Sequence, residues 1–502
     1  MNNFLQGLKE TDNYKFTENG GVAYKSTLDM VMDLFAFGAA YRSRSNEDCI
    51  LLFKNAFEEN KDLALKCLFY LADCRGGQGE RRFFKVCYKW LAKNYPEIAL
   101  KNMELIPVYR RWDDVIYSCV GTTLEKDALK FIENQLSLDM LCKTPSLLAK
   151  WMPSENASSR ETKQMGNHIR EFLGWTHKQY RKVLSDLRSR INIVEKLMSE
   201  NRWDEIEFDK IPSKAGLIYR NAFARRDIIS EKYKKFVEDK NTVVNADTLY
   251  PYEIVSKVTN NISGWGSSTR VNMSNIDKAT VEKYWNNQKD YFNGKQSNML
   301  CVVDTSGSMT DGSAASAPIN VAISLGMYAA ERAGGPFKDH YISFSSRPQL
   351  IKIEGVDFAD KIKRIYQTNL CENTNLTATF DMLLKIADRP DVTEDQIPET
   401  IVVISDMEID SMTYGYDGWN EETTSTEMEK VRKKWAEHGH KMPKLVYWNV
   451  QARQNTILDK GEGVSFVSGM SPSIFTSIIS GKTGIELMLE TLNSNRYKNI
   501  TI

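Results

Sequence analysis

Hydrophobic residues recur at helical spacing along most of the first 290 residues of the chain. Residues 46–76 hold two such amphipathic stretches, one around Phe53 and Phe57 and the other around Leu65 and Leu68. Short turns rich in glycine or proline separate the stretches. The pattern predicts antiparallel helix pairs stacked as a helical repeat of the HEAT type, although no fixed repeat period is visible.

The pattern changes at Ser297. Five short apolar or β-branched runs alternate from there with segments at helical spacing: NMLCVVD, HYISFSS, TIVVISD, KLVYWNV and VSFVSG. Such alternation predicts a mainly parallel, doubly wound sheet covered by helices on both faces. We therefore predict an α + α/β protein, with a helical-repeat domain over residues 1–290 and an α/β domain over residues 296–502. The junction is expected within the Asn-, Ser- and Gly-rich region 257–295.

The composition is ordinary for a globular protein, with 42% hydrophobic and 26% charged residues in 502. No apolar run approaches the roughly 18 residues that span a bilayer, and the N-terminal residues lack the features of a signal peptide. We expect a soluble protein without membrane contact in the cytoplasm, which would be the host cytoplasm if the source is viral. The eight cysteines form no CxxC pair, so we expect reduced thiols rather than disulfides or zinc ligands.

The charge balance bears on nucleic-acid binding. The 66 basic and 66 acidic residues cancel, which argues mildly against a protein that coats nucleic acid nonspecifically. Residues 160–190 nevertheless carry eight Lys or Arg against three acids. This segment is either a solvated helix face or a phosphate-binding strip. The candidate phosphate-binding residues are Arg160, Lys163, Arg170, Lys178, Arg181, Lys182 and Arg188.

Three further arginines lie C-terminal to this strip. Arg220, Arg225 and Arg226 could also contact phosphate, but internal pairing with Asp227 or Glu231 is the slightly favoured alternative.

A short loop follows the first predicted strand of the second half. The strand ends at Asp304, and Ser306 and Ser308 follow at every second position, with Gly307 allowing a tight turn. Ligands of doubly wound sheets bind beyond the carboxyl ends of the strands. One carboxylate and two hydroxyls form a hard oxygen set that suits Mg²⁺. We expect octahedral Mg²⁺ here, with both serines as direct ligands.

The sequence DTSGS resembles the DxSxS signature of the von Willebrand factor A domain and its metal-ion-dependent adhesion site. ENTNLTATFD resembles the second loop of that site and implies Thr374 as a ligand, with Thr377 as the rival assignment. TIVVISDM resembles the third loop and implies Asp406. The alternative is a vestigial site that holds no metal. Glu408 and Asp410, just beyond, are interpreted as solvated loop acids.

Nearly the whole chain resembles domain of unknown function 2828, an uncharacterised family of plants, fungi, protists and large viruses or phages. The resemblance lies in strings such as LFYLADCRGGQGERRFF, WDEIEFDKIPSKAGLIYRNAFARRD and PKLVYWNVQAR. More distantly, TENGGVAYK and IPSKAGLIYRNAF resemble the Ro ribonucleoproteins, whose TROVE module precedes a von Willebrand factor A domain. That resemblance implies a helical ring and binding of small or misfolded RNA.

Two functions are therefore open. One is Ro-like RNA binding through the helical domain with a Mg²⁺-dependent interaction site. The other is a metal-dependent assembly module without RNA binding, in which a protein partner supplies a carboxylate to the metal. Catalysis is disfavoured, since the sequence has no GxSxG, Walker A or HExxH motif. The oligomeric state is left open.

Overall fold

The computed structural model describes residues 9, 12–191, 193–244, 246, 248–264, 266–310, 317–344, 347–368, 375–409 and 426–502. The first half of the chain is predominantly helical. Its helices are α1 (Met30–Phe37), α2 (Asn46–Glu59), α3 (Lys61–Ala72), α4 (Arg81–Asn94), α5 (Pro96–Asn102), α6 (Ile106–Tyr109), α7 (Asp113–Cys119), α8 (Glu125–Leu141), α9 (Leu148–Trp151), α10 (Arg160–Phe172), α11 (His177–Arg190), α12 (Val194–Ser199), α13 (Ser213–Arg225), α14 (Asp227–Glu238), α15 (Pro251–Thr259) and α16 (Asn275–Asn286).

Local sequence explains where these helices begin and which face they bury. Helix α2 begins after Ser45, whose side chain accepts a hydrogen bond from the Asp48 N–H. Its apolar residues follow helical spacing and are buried, among them Leu52, Phe53 and Phe57. The helix is therefore stabilised both by its buried apolar face and by its N-cap.

The second half forms a six-stranded sheet with helices on its faces. The strands are β5 (Met299–Asp304), β6 (His340–Phe344), β7 (Gln349–Lys352), β8 (Thr400–Ser405), β9 (Lys444–Asn449) and β10 (Val464–Ser468). The helices are α17 (Pro318–Arg332), α18 (Phe358–Tyr366), α19 (Leu376–Ala387), α20 (Glu427–Glu437), α21 (Phe475–Ile478) and α22 (Gly484–Leu492).

The sheet is doubly wound. Its order is β10-β9-β8-β5-β6-β7, with every neighbour pair parallel except β6 and β7. The chain order reverses between β5 and β8, so this pair forms the switch point where ligands of such sheets bind. The predicted fold class is confirmed, with helices first and a doubly wound α/β unit second.

Three small strand features were not predicted. The edge strand β7 was missed because its four residues are mostly solvent-facing and lack an apolar run. A hairpin of β1 (Tyr14–Phe16) and β2 (Val22–Tyr24) and a two-stranded pair, β3 (Ile262–Ser263) and β4 (Arg270–Val271), interrupt the expected all-helical first half. Strands of two or three residues are too short to show an alternating pattern.

The two halves of the chain share a core. One continuous cluster of buried apolar residues runs from α1 through the helices to the sheet and α22. Helix α1 lies on β10, where the Ser468 hydroxyl donates to the Phe35 carbonyl at 2.9 Å. The hairpin also reaches the second half, because Tyr24 and Ile457 exchange two backbone hydrogen bonds of 2.8 and 2.9 Å. The halves therefore form one packed body.

Seven cysteines fall within the described ranges, and all are free thiols, most of them buried. The reduced state stays a prediction, and Cys371 lies outside those ranges. None of the helices that the structure describes is long and apolar enough to cross a membrane.

Candidate metal centre and basic cleft

Strands β5 and β8 bring two carboxylates to one edge of the sheet. Asp304 is the last residue of β5 and is fully buried, while Asp406 directly follows β8 and is 1% exposed. The Ser405 hydroxyl donates to Asp304 Oδ2 at 2.5 Å. The Ser306 backbone N–H donates to Asp304 Oδ1 at 2.9 Å. The strand ends and the turn after β5 therefore fix the position of Asp304.

The two predicted serine ligands lie beside this carboxylate. The Ser306 and Ser308 hydroxyl oxygens are 3.0 Å apart, and the Ser308 hydroxyl hydrogen-bonds to Asp406. Ser306 is 1% exposed, whereas Ser308 is half-buried and faces the surface side of the site. The structure thus brings Asp304, Ser306, Ser308 and Asp406 together.

The two carboxyls of this cluster are buried, and their burial changes their acidity. Burial, followed by the charge of Asp406, raises the pKa of Asp304 to about 7. Burial also raises the pKa of Asp406, against the lowering effect of Arg453. Two buried carboxyls and two hydroxyls are hard oxygen donors and fit Mg²⁺. The described residues contain no group of three or more His, Cys, Asp or Glu that could hold a metal, so hydroxyls must complete any ligand set.

The backbone after β8 is strained at the site. Met407, next to Asp406, has φ of +67°, a left-handed backbone conformation that residues other than glycine seldom adopt. Its N–H donates to the Ser405 hydroxyl at 2.9 Å, which holds the turn. Such strained residues occur often at functional sites, which is consistent with a binding role for this loop.

Arg453 is a site residue that sequence reasoning missed. Its guanidinium contacts Asp406 Oδ2 at 2.7 Å and Glu18 Oε2 at 3.1 Å. Glu18 lies in the turn of the β1–β2 hairpin. Arg453 therefore links the acid after β8 to the N-terminal hairpin. The string TENGG around Glu18 was distinctive, but nothing local in it indicated a contact more than 380 residues away.

The interpretation of Glu408 as a solvated acid is wrong. Glu408 is fully buried, and its carboxylate accepts from the Glu18 N–H at 2.7 Å and the Thr456 hydroxyl at 3.0 Å. The Asn19 amide donates to its backbone carbonyl at 2.7 Å. The hairpin covers Glu408, so this acid attaches the N-terminal hairpin to the second half of the chain. Asp410 lies outside the described residues.

The threonine of the expected metal site stays a prediction. Thr374 lies outside the ranges that the structure describes. The rival, Thr377, is buried in the first turn of α19, where Asn375 caps the helix by accepting from the Ala378 N–H at 2.8 Å.

The helical half contains a cleft of about 920 Å³ between α7, α9, α11, α12 and α13. Six basic residues line it, against three acids, Asp113, Glu155 and Glu195. The basic residues are Arg111, Lys150, Arg181, Arg188, Lys196 and Lys214. The Arg111 guanidinium lies 3.8 Å from the centre of the Trp151 ring, and Lys150 approaches the same ring at 5.4 Å.

The seven predicted phosphate-binding residues divide into two groups. Arg160, Lys163, Lys178, Arg181 and Lys182 are exposed. Arg170 instead binds Glu155 at 2.8 Å. Arg188 donates to the Ala149 and Met152 carbonyls at 2.8 and 2.9 Å, and burial lowers its pKa. These two arginines stabilise the fold. The sequence alone could not distinguish them from the five exposed residues.

Two of the three arginines beyond the strip make contacts other than the expected pairing, and Arg225 is exposed. Arg220 contacts Asp277 at 3.2 Å rather than Asp227 or Glu231. Arg226 lies 4.8 Å from the centre of the Trp203 ring.

Comparison with known proteins gives the family. The family model described as Domain of unknown function (DUF2828) matches residues 17–171 and 146–290, which together cover more than half of the chain. A second model, Domain of unknown function (DUF7788), matches residues 298–498. The protein belongs to the DUF2828 family.

The comparisons also found two similar proteins. The chain is 28% identical over 515 residues to "Uncharacterized protein L728" of Acanthamoeba polyphaga mimivirus, covering 94% of this chain and 85% of the relative. It also resembles the crystal structure of the Deinococcus radiodurans RO (RSR) protein, with a TM-score of 0.43 and 14% identity over 93% of this chain and 99% of that one. A likeness at that level carries no information on function.

Proposed function

We propose that this protein is a non-enzymatic RNA-binding protein whose helical cleft holds unpaired nucleotides. The observation that carries the proposal is the cleft of about 920 Å³, whose lining includes Lys150 beside Trp151 and the exposed Arg181. The other cations of the lining are engaged within the fold: Arg111, Lys196 and Lys214 pair with acids, and Arg188 donates to backbone carbonyls. Positive charge on one concave surface attracts a phosphate backbone, even where the whole molecule is neutral.

The side chains in the cleft also suit bases. The Arg111 guanidinium carbon lies over the Trp151 ring, 3.8 Å from its centre, and Arg111 Nε donates to Asp113 Oδ1 at 2.8 Å. Guanidinium planes and indole rings are the surfaces on which unpaired bases stack. Exposed Arg181 continues the positive surface along α11 to Lys178 and Lys182. The cleft therefore combines stacking groups with phosphate-binding groups.

Fluorescence anisotropy with a labelled oligouridylate, measured between about 50 and 200 mM salt, tests this proposal. Arg181→Glu is expected to weaken binding at least tenfold, because a phosphate contact is lost. The slope of log affinity against log salt concentration is expected to decrease in magnitude by about one. Lys433→Glu is the control, since Lys433 is 80% exposed on α20 in the other half of the chain. Equal loss in both variants, or no binding by the wild type, would contradict the proposal.

The metal centre supports a second candidate function, metal-dependent protein assembly without RNA. Ser306 and Ser308 would bind Mg²⁺ directly, with Asp304, Thr374 and Asp406 contributing directly or through water. A bound Mg²⁺ with water-filled positions would accept a carboxylate from a partner. Asp406 has Oδ2 on Arg453 and Oδ1 near the Glu408 N–H at 3.2 Å, so a contribution through water fits these contacts best.

Calorimetric titration with Mg²⁺ separates the two candidates. Asp304→Ala is expected to abolish Mg²⁺ binding while leaving the fold mostly intact. If RNA affinity is unchanged by EDTA and by this variant, the two sites act independently and RNA binding stands. If the wild type binds Mg²⁺ but no RNA, the assembly function replaces it.

A further inference from the structure

A second cavity lies where the two halves of the chain meet. Three parts of the chain line it: the loop between α3 and α4 with Arg75, the segment between α16 and β5 with Lys289, and α21 and α22 with the residues after them. The cavity volume is about 380 Å³, which lies within the range of small-molecule sites. No described residue of this lining belongs to the metal centre or to the helical cleft.

The loop between α3 and α4 fixes the position of Arg75 at this cavity. The Arg75 N–H donates to Asp73 Oδ1 at 2.9 Å, and its Nη1 donates to the Val108 carbonyl at 3.2 Å. Gly76 lies so close to the C-terminal segment that an added Cβ would stand 2.5 Å from Arg496 Nε. The string RGGQGE therefore places an exposed arginine beside the last residues of the chain.

The positive charge of this cavity is open to a ligand. Lys289 is exposed, and its Nζ lies 5.1 Å from the centre of the Tyr291 ring. Within the described part of the chain, neither Lys289 nor Arg75 forms an ion pair with an acid. Glu490 is the one acid among the described lining residues, and it pairs with Lys482 at 3.8 Å. Both cations can therefore bind an anion, and phosphate oxygens are ligands that lysine and arginine bind well.

Neutral polar groups line the same cavity. Asn293 is exposed and Ser494 half-buried, and their side chains make no hydrogen bond to another residue that the structure describes. Glu490 accepts from the Ser480 hydroxyl through Oε2 at 2.8 Å, so its Oε1 can accept from a ligand. An amide, a hydroxyl and a carboxylate oxygen together complement the hydroxyls of a polyol, because each such hydroxyl both donates and accepts.

We propose that this cavity binds a small phosphorylated polyol. Arg75 and Lys289 bind the phosphate, whose charge of about −1.5 to −2 at pH 7 the two cations balance. Asn293, Ser494 and Glu490 bind the hydroxyls of the polyol. Since the lining comes from both halves of the chain, the ligand contacts both and stabilises the folded protein.

Calorimetric titration of the full-length protein with myo-inositol monophosphate, beside inorganic phosphate and myo-inositol, tests this inference. The monophosphate is expected to bind about tenfold more tightly than inorganic phosphate, because its hydroxyls add hydrogen bonds. Myo-inositol alone is expected to show no measurable binding.

Two substitutions test the phosphate contacts. Arg75→Gln and Lys289→Gln are each expected to weaken binding of the monophosphate about tenfold, since a charge-assisted hydrogen bond is lost. Lys295→Gln is the matched control, because Lys295 is an exposed lysine of the same segment that does not line the cavity. Urea unfolding and circular dichroism check that each variant is folded.

A further substitution separates the polyol from the phosphate. Ser494→Ala is expected to weaken binding of the monophosphate several-fold and to leave that of inorganic phosphate unchanged, because only the polyol loses a partner. The proposal is overturned if the monophosphate does not bind, or if inorganic phosphate or myo-inositol binds as tightly. It is also overturned if Arg75→Gln and Lys289→Gln keep the wild-type affinity, or if Lys295→Gln weakens binding as much as they do.

Discussion

At the scale of single residues, Arg453 places a positive charge beside the candidate metal centre. Its guanidinium occupies Asp406 Oδ2 at 2.7 Å and pairs with Glu18 at 3.1 Å. A cation bound at Asp304 and Asp406 would share this small space with a fixed positive charge. We therefore expect Arg453 to oppose cation binding at this site.

Arg453→Gln is accordingly expected to raise the affinity for Mg²⁺ several-fold, since a like charge within a few ångströms of the ion is removed. Calorimetric titration at pH 8, above the pKa of about 7 for Asp304, measures the change. Arg389→Gln is the matched control, because Arg389 is 59% exposed and pairs with Asp391 at the surface. Weaker Mg²⁺ binding by Arg453→Gln would show that the arginine instead organises the site.

His440 is expected to make the stability of the protein depend on pH. Its ring contacts Glu394 at 2.6 Å and Asp388 at 3.1 Å. Both hydrogen bonds raise the pKa of His440, and the bond to Glu394 has the larger effect. A histidine whose pKa is higher in the folded state stabilises the fold below its unfolded pKa of about 6.5. That contribution is lost as the pH rises through the folded pKa.

His440→Gln is expected to lower the free energy of unfolding at pH 6 by up to about 1 kcal/mol, the scale of a partly exposed ion pair. At pH 9 the difference from the wild type is expected to shrink towards zero. Urea unfolding at both pH values measures this, with Lys441→Gln as the neighbouring control. A difference that does not depend on pH would mean that the ring acts through packing alone.

At the scale of elements, the N-terminal hairpin is tied to helix α20. The Tyr24 hydroxyl of β2 donates to Glu429 Oε1 at 2.6 Å. The other oxygen of Glu429 accepts from the Thr426 N–H at 2.8 Å, which completes the capping box of α20. The Glu429 carboxylate thus caps the N-terminus of a helix in the second half and also binds a strand near the start of the chain.

Tyr24→Phe is expected to cost about 1.5 to 3 kcal/mol of unfolding free energy, because a hydrogen bond to a charged acceptor is lost. Urea unfolding measures the difference. Tyr95→Phe is the control, since Tyr95 packs by its ring on Phe57 and Trp90. A cost below about 0.5 kcal/mol, as for ordinary surface substitutions, would show that the hairpin is not held by this contact.

Sequence periodicity predicted the long elements and missed the short ones. The runs NMLCVVD and TIVVISD became β5 and β8, because each carries several residues of one continuous apolar pattern. The hairpin and β7 are too short for that. Asp304, Ser306, Ser308 and Asp406 could be placed together because strand ends meet at the switch point. Arg453 and Glu18 could not, since their contact depends on how distant segments pack.

At the scale of the whole molecule, the last residues of the chain bind the first helices. Arg496 pairs with Asp73, which is fully buried at the end of α3. The Tyr109 hydroxyl donates to the Arg496 carbonyl at 2.5 Å, and the Asn102 amide donates to the Thr501 carbonyl at 2.7 Å. With the shared apolar core, these contacts predict that the two halves unfold together.

Arg496→Ala is expected to lower the free energy of unfolding by about 3 kcal/mol, because it leaves the buried Asp73 carboxylate without its cation. Denaturation followed separately by far-ultraviolet circular dichroism and tryptophan fluorescence is expected to give one coincident transition for both proteins. Arg389→Ala, at the surface, is the control. Two separated transitions in the wild type would contradict a common folding unit.

Ultraviolet crosslinking to single-stranded RNA, with the attachment sites identified by mass spectrometry, tests the central claim most directly. The account predicts crosslinks in peptides that line the helical cleft, around Trp151 and Arg181, and their loss in Arg181→Glu. Crosslinks confined to the sheet half, or none under low-salt conditions in which the protein is folded, would contradict it.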